Sequence, residues 1–169
     1  MELSRRPIEP VVLEPKAMAA RLRGLQATLA NEVRAAFDGV SEREAEFEPA
    51  PGEWSAKENL AHLLAGEVGT ADSLTELIGD GEREFPEDGT NIRERLQAIL
   101  AATPTLAALL DRYELAQSEA AAVLERAERL RARKGVMWRV GQNLFQLAGE
   151  HERGHVAAIR AAIEAARAA

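Results

Sequence analysis

The chain has no cysteine. That absence excludes a disulfide framework, a thiolate nucleophile of the protein's own and any cysteine-ligated metal site, so thiol chemistry here needs an external thiol. Aromatic residues make up only 4% and no segment reads as a β-strand run. Alanine and leucine dominate instead, the composition of helices packed at close range. Long apolar runs are missing as well: no window approaches the roughly 18 consecutive apolar residues of a membrane span. Met1–Pro15 carries charges and three prolines in place of an apolar stretch, and the expected location is the cytoplasm. Basic charge is also short. A net charge of -7 and a pI near 5.1 argue against a nucleic-acid backbone or an anionic membrane as the main partner. The cluster Arg129, Arg131, Arg133 and Lys134 reads as a helix C-terminus compensating its dipole. A chain of 169 residues suffices for one core and is short for two, giving a single domain over 1–169 whose residues 1–15 form an extended N-terminal segment.

What is present is helical periodicity. The first helix reads from Lys16 to Phe37, with Met18, Leu22, Leu25, Leu29, Val33 and Ala36 recurring at three- and four-residue intervals. Gly39, Pro49, Pro51 and Gly52 then make Asp38–Trp54 a loop. Ser55 with Glu58 forms a capping box opening the second helix, whose apolar stripe is Leu60, Leu64, Ala71, Leu74 and Ile78 and which stops at Gly79 and Gly81. Beyond an acidic loop, Asp80–Gly89, a near-heptad seam runs from Ile92 through Leu96, Ile99, Leu106, Leu110, Tyr113, Ala120 and Leu124 to Ala127. Pro104 breaks it, with Thr103 as the cap of the second piece. The last helix reads from about Trp138 to Arg167. Val140, Leu144, Leu147, Ala148, Ala158 and Ala162 share one face, and the apolar arc spreads over Phe145, Val156, Ile159 and Ile163. So wide an arc suits contact with two neighbours or a homodimer surface.

The chain has three histidines. His151 and His155 are one turn apart on the last helix, project the same way and can share one ion. On the face of Leu144, Leu147 and Ala158 each ring needs a partner, which a metal supplies for both and hydrogen bonds to side chains or water supply separately. His62 lies one to two turns into the second helix. In an up-and-down bundle the second and fourth helices run in the same direction, so an early His62 and a pair midway along the last helix need not meet. On the helical wheel His62 is nearly opposite Leu60 and Ile78, in a small-residue stripe with Gly66, Gly69 and Ser73 that is either a second buried face or a solvated one. Glu67 falls within the apolar arc, as a metal ligand, a partner of a ligand or a core-edge carboxylate reaching solvent.

The segment Trp54-Ser55-Ala56-Lys57-Glu58-Asn59-Leu60-Ala61-His62-Leu63, followed far downstream by His151-Glu152-Arg153-Gly154-His155, resembles the DinB-like (YfiT-type) metalloprotein superfamily in order and spacing over the whole chain. The resemblance implies an all-α, up-and-down four-helix bundle in which His62, His151 and His155 converge on one divalent ion, zinc or nickel foremost. Three neutral imidazoles leave a coordination position open, as catalytic sites do. Proteins of this kind resemble transferases and isomerases that use bacterial low-molecular-weight thiols, and others have been proposed as hydrolases. The implied function is transfer of a low-molecular-weight thiol to a small electrophile, or hydrolysis of one. The alternative is a non-catalytic, stress-related metal-binding bundle whose ion stabilises the fold. His151-Glu152-x-x-His155 also satisfies the H-E-x-x-H pattern of zinc proteases. Those enzymes need a third ligand downstream, and residues 156–169 offer Glu164 as their sole carboxylate. Glu152 therefore reads as a flank residue in helix-surface salt bridges.

Overall fold

Pro15 occupies the first position of α1 (Pro15–Ala36), where a residue without an N–H leaves no intrahelical bond unmade. The computed structural model describes residues 15–78, 92–127 and 149–169. Within them the elements are α1, α2 (Glu42–Ala45), α3 (Ala56–Ile78), α4 (Ile92–Ala102), α5 (Leu106–Arg126) and α6 (Glu150–Ala168), all helical. No described helix is long and apolar enough to cross a membrane. The N-terminal segment before Pro15, the glycine stop at Gly79 and Gly81 with its acidic loop, the cluster Arg129–Lys134 and the Trp138–Ala148 part of the last helix lie outside the described residues.

Met18, Leu22, Leu29 and Val33 are buried along α1 at the spacing read from the sequence, with Gln26 buried among them. The stretch 38–54 is not all loop. Ser41 and Glu44 form a capping box: the Glu44 N–H donates to Ser41 Oγ at 3.3 Å and the Ser41 N–H to Glu44 Oε2 at 2.8 Å. That reciprocal bonding sustains a single turn despite the glycines and prolines on either side, and the S-x-x-E signature stands in the sequence. Ala45 of α2 is fully buried. Glu42 and Glu46 receive the Lys57 ammonium at 2.9 and 2.6 Å, and the Pro104 carbonyl accepts from it at 2.6 Å. One buried lysine thus ties α2, the start of α3 and the α4–α5 corner together, its desolvation offset by three acceptors.

The capping box of α3 is as the sequence reads, with the Ser55 N–H donating to Glu58 Oε2 at 2.8 Å and the Glu58 N–H to Ser55 Oγ at 3.1 Å. The break at Pro104 is present, but the cap is Thr105 rather than Thr103. The Thr103 hydroxyl donates back to the Ile99 carbonyl at 2.6 Å and closes α4. Thr105 Oγ1 accepts from the Ala108 N–H at 3.2 Å and opens α5.

Helix α6 starts later than its periodicity indicates. Gly149 precedes it with φ 83°, and a residue in the left-handed region cannot continue an α-helix. The His151–His155 pair therefore lies in the first two turns of its helix. A Cβ at position 149 would stand 3.2 Å from Leu25 Cδ1. Gly149→Ala is expected to lower the stability of the metal-free protein by about 1–2 kcal/mol, the left-handed penalty for a residue with a Cβ. Thermal unfolding measures it, and an unchanged midpoint would place the helix start elsewhere.

Contacts fix the helix directions. Arg23 pairs with Glu125 and Arg34 with Glu114, so α1 and α5 are antiparallel. Gln26 bonds Glu67 while Leu22 packs with Leu74, so α1 and α3 are antiparallel too. Gly149 lies against Leu25 and Leu29, and Arg153 reaches Glu32, so α6 runs with α1. Helices α3 and α6 consequently run in opposite directions, the reverse of the relation expected for the second and fourth helices. Helix α5 also runs against α1, where the third helix of an up-and-down bundle would run with it, so the piece after the expected break at Pro104 is oriented as a separate element.

Two apolar clusters form the core. The larger gathers Val33, Phe37, Leu60, Leu64, Leu109, Tyr113, Val156 and Ile159, and the smaller gathers Met18, Leu22, Leu74, Ala120, Ala121 and Leu124. On α1, α3 and α5 the changeover falls at a polar residue: Gln26, Glu67 and Gln117.

Candidate metal centre

His62 is in the second turn of α3, and the antiparallel overlap of α3 with the start of α6 brings His151 and His155 beside it. Ring centroids are 4.5 Å apart for His62 and His155, 4.7 Å for His151 and His155, and 5.6 Å for His62 and His151. One nitrogen from each ring lies within 4.8 Å of the others. Small χ rotations would bring such donors to the ~2.0–2.1 Å at which imidazole nitrogen binds zinc. His62 and His155 are half-buried and His151 is exposed, so the cluster opens to solvent at His151. The core face of α6 is Val156, Ile159, Ala162 and Ile163, while Ala158 is exposed. The histidine pair therefore stands beside the core stripe rather than within it.

The small-residue stripe of α3 has two characters. His62 is covered by α6, Gly66 is exposed and Gly69 is half-buried; the Ser73 side chain lies outside the described residues.

Trp54 forms one wall, its ring 5.1 Å from that of His62 and stacked at 6.1 Å over His155. Burial, then the proximity of His62 and His151, pushes the His155 imidazolium down to about 4. It is neutral at physiological pH, the state in which a ring nitrogen can ligate. Three imidazole donors suit zinc, nickel or a similar divalent ion. Buried Asn59 stands behind His155, with its Oδ1 2.9 Å from the ring Nδ1. It lies one turn before His62, an i, i+3 spacing that reading for titratable residues passes over.

Glu67 is outside the cluster. Its carboxylate accepts from Gln26 Nε2 at 3.0 Å. Burial pushes its carboxyl up to about 7, against the hydrogen bonds from Gln26 and Gln117, and Glu152 pushes it further. Gln117 Nε2 donates to the Tyr113 hydroxyl at 2.8 Å, and burial with nearby carboxylates keeps that phenol protonated. Glu152 corrects a sequence reading. Its Oε2 is buried with no hydrogen-bond partner among the described residues, and its charge acts on Glu67 and Tyr113. It faces the interior because the first turn of α6 lies between α1 and α3. The helix-surface ion pair is made by the next residue, Arg153 to Glu32 at 3.5 Å. The third imidazole comes from α3, upstream of the pair, whereas the H-E-x-x-H pattern of zinc proteases takes its third ligand from downstream.

The fold and site define a class, an all-helical bundle in which one imidazole from an early helix meets an H-x-x-x-H pair on the last. The DinB superfamily profile matches residues 25–159, and the chain belongs to that superfamily. No curated protein and no solved structure gives a match.

Proposed function

We propose that this protein holds one divalent ion, zinc or nickel, on His62, His151 and His155, and transfers a low-molecular-weight thiol to a small electrophile. The observation carrying the reading is the donor set. Three imidazoles meet without a fourth protein ligand among the described residues, and one is exposed. A structural site would be closed by its protein ligands. An ion so held supplies Lewis acidity at an open position, where a water or thiol loses its proton near neutral pH. The Trp54 ring shields one side of the cluster, leaving the approach on the His151 side.

The thiol is favoured over water by the scarcity of bases. Glu58 is held by the Ser55 cap and Glu67 is hydrogen-bonded within the core, which leaves Glu152 to serve a hydrolytic route. The chain has no cysteine, so the thiol is diffusible, and the acidic net charge favours small molecules over nucleic acid or membrane.

The test is incubation of metal-loaded protein with electrophilic acceptors, with and without low-molecular-weight thiols. Conjugate formation needing both metal and thiol is expected, with Glu152→Gln retaining activity within about tenfold. Hydrolysis without thiol, lost by about a hundredfold or more in Glu152→Gln, would establish the water route. Metal bound at one per chain with no turnover across a broad panel would leave an ion that only stabilises the bundle.

A further inference from the structure

Asn59 is buried, 4% exposed, in the first turn of α3. Its amide makes three contacts. Nδ2 donates to the Ser55 carbonyl at 3.0 Å and to the Trp54 carbonyl at 3.4 Å, and Oδ1 lies 2.9 Å from His155 Nδ1. The orientation of an asparagine amide follows from what surrounds it. Two carbonyl oxygens can only accept, so the amide nitrogen must face them and the amide oxygen must face the imidazole. An amide oxygen also only accepts. His155 Nδ1 must then carry the hydrogen, and the lone pair of the neutral ring is on Nε2.

We infer that Asn59 is a positioning residue that holds His155 in the Nδ1–H tautomer and presents Nε2 to the ion. The carbonyls that set the amide belong to Trp54 and Ser55, the residues that wall the site and cap α3. Helix start, ring wall and ligand orientation are therefore one connected unit. A metal-ligating imidazole whose other nitrogen donates to a fixed acceptor is held in tautomer and ring angle, and its basicity rises. Asn59 supplies the acceptor without placing a charge in the core, where an unpaired carboxylate would be costly.

The inference rests on the three-histidine reading, but the tautomer can be read without any metal. In metal-free, ¹⁵N-histidine-labelled full chain, long-range ¹H–¹⁵N correlation is expected to show His155 protonated on Nδ1. In Asn59→Leu, of similar volume and with no acceptor, the Nε2–H tautomer is expected to dominate. Asn59→Ala, which also lacks the acceptor, is expected to give the same Nε2–H tautomer and covers the case in which the leucine variant does not fold. In zinc titrations both variants are expected to bind about tenfold to a hundredfold more weakly than the parent. His155 protonated on Nε2 in the parent, or parent-like zinc affinity in a folded Asn59→Leu, would overturn the inference and leave the three-histidine site standing. A parent that binds no zinc while carrying the Nδ1–H tautomer would sink the metal reading and uphold the role of Asn59.

Discussion

Alanine at His62 or His155 is expected to cost at least about a hundredfold in zinc or nickel affinity. Outer partners of a ligating histidine are already worth about tenfold to a hundredfold, and a ligand contributes a direct bond. Both rings are half-buried and packed against Trp54, so a vacancy at either is not refilled by a side chain swinging in from solvent. His151 is exposed, and its replacement should also lower affinity, since all three nitrogens belong to one set.

The effect is measurable as stability. With free metal at one hundred times its dissociation constant, binding stabilises the native state by about 2.7 kcal/mol, worth about 5–11 °C in a chain of this size. A hundredfold weaker variant retains about 0.4 kcal/mol of that at the same metal concentration. A His62→Ala protein that kept full occupancy while His151→Ala lost it would refute the three-ligand site and restore the helical-wheel argument that sets His62 apart.

Glu67→Gln should make the metal-free protein more stable at pH 8 by up to about 3 kcal/mol and change little near pH 4. Burial holds the folded-state carboxyl at about 7, against 4.5 for the unfolded chain. Between those values the native state keeps a proton that the unfolded state has released, so stability falls as pH rises through this window. Below 4.5 both states are protonated and the group contributes no pH dependence. Above 7 the full penalty is present, and an uncharged isostere removes it while keeping an oxygen for Gln26 to donate to. Denaturant melts of both proteins from pH 4 to 8 measure the difference. Parallel curves across that range would mean that Glu67 ionises in the fold as it does in the open chain.

The elements that the sequence determined by itself are those set within a few residues of chain. The stripe Met18, Leu22, Leu29, Val33, the Ser55–Glu58 box and the one-turn spacing of His151 and His155 all depend on contacts between positions three or four apart, which are the same wherever a helix lies. The three candidate ligands were legible for a simpler reason, that the chain has no other histidine and the early-helix motif with the late H-x-x-x-H pair matches the superfamily. The Ser41–Glu44 turn was legible by the same local rule, but punctuating prolines and glycines masked it. Only the tertiary structure decided what depends on one helix meeting another. A wheel assigns His62 a face, but not that α6 covers it, nor that α6 runs against α3. The left-handed Gly149 is held where Leu25 and Leu29 crowd it, and the interior position of Glu152 depends on the turn it occupies beside α1 and α3. Periodicity fixes which side of a helix is apolar. Direction, register and the partner across the gap are set by packing between segments about ninety residues apart, and on those the candidate metal site depends.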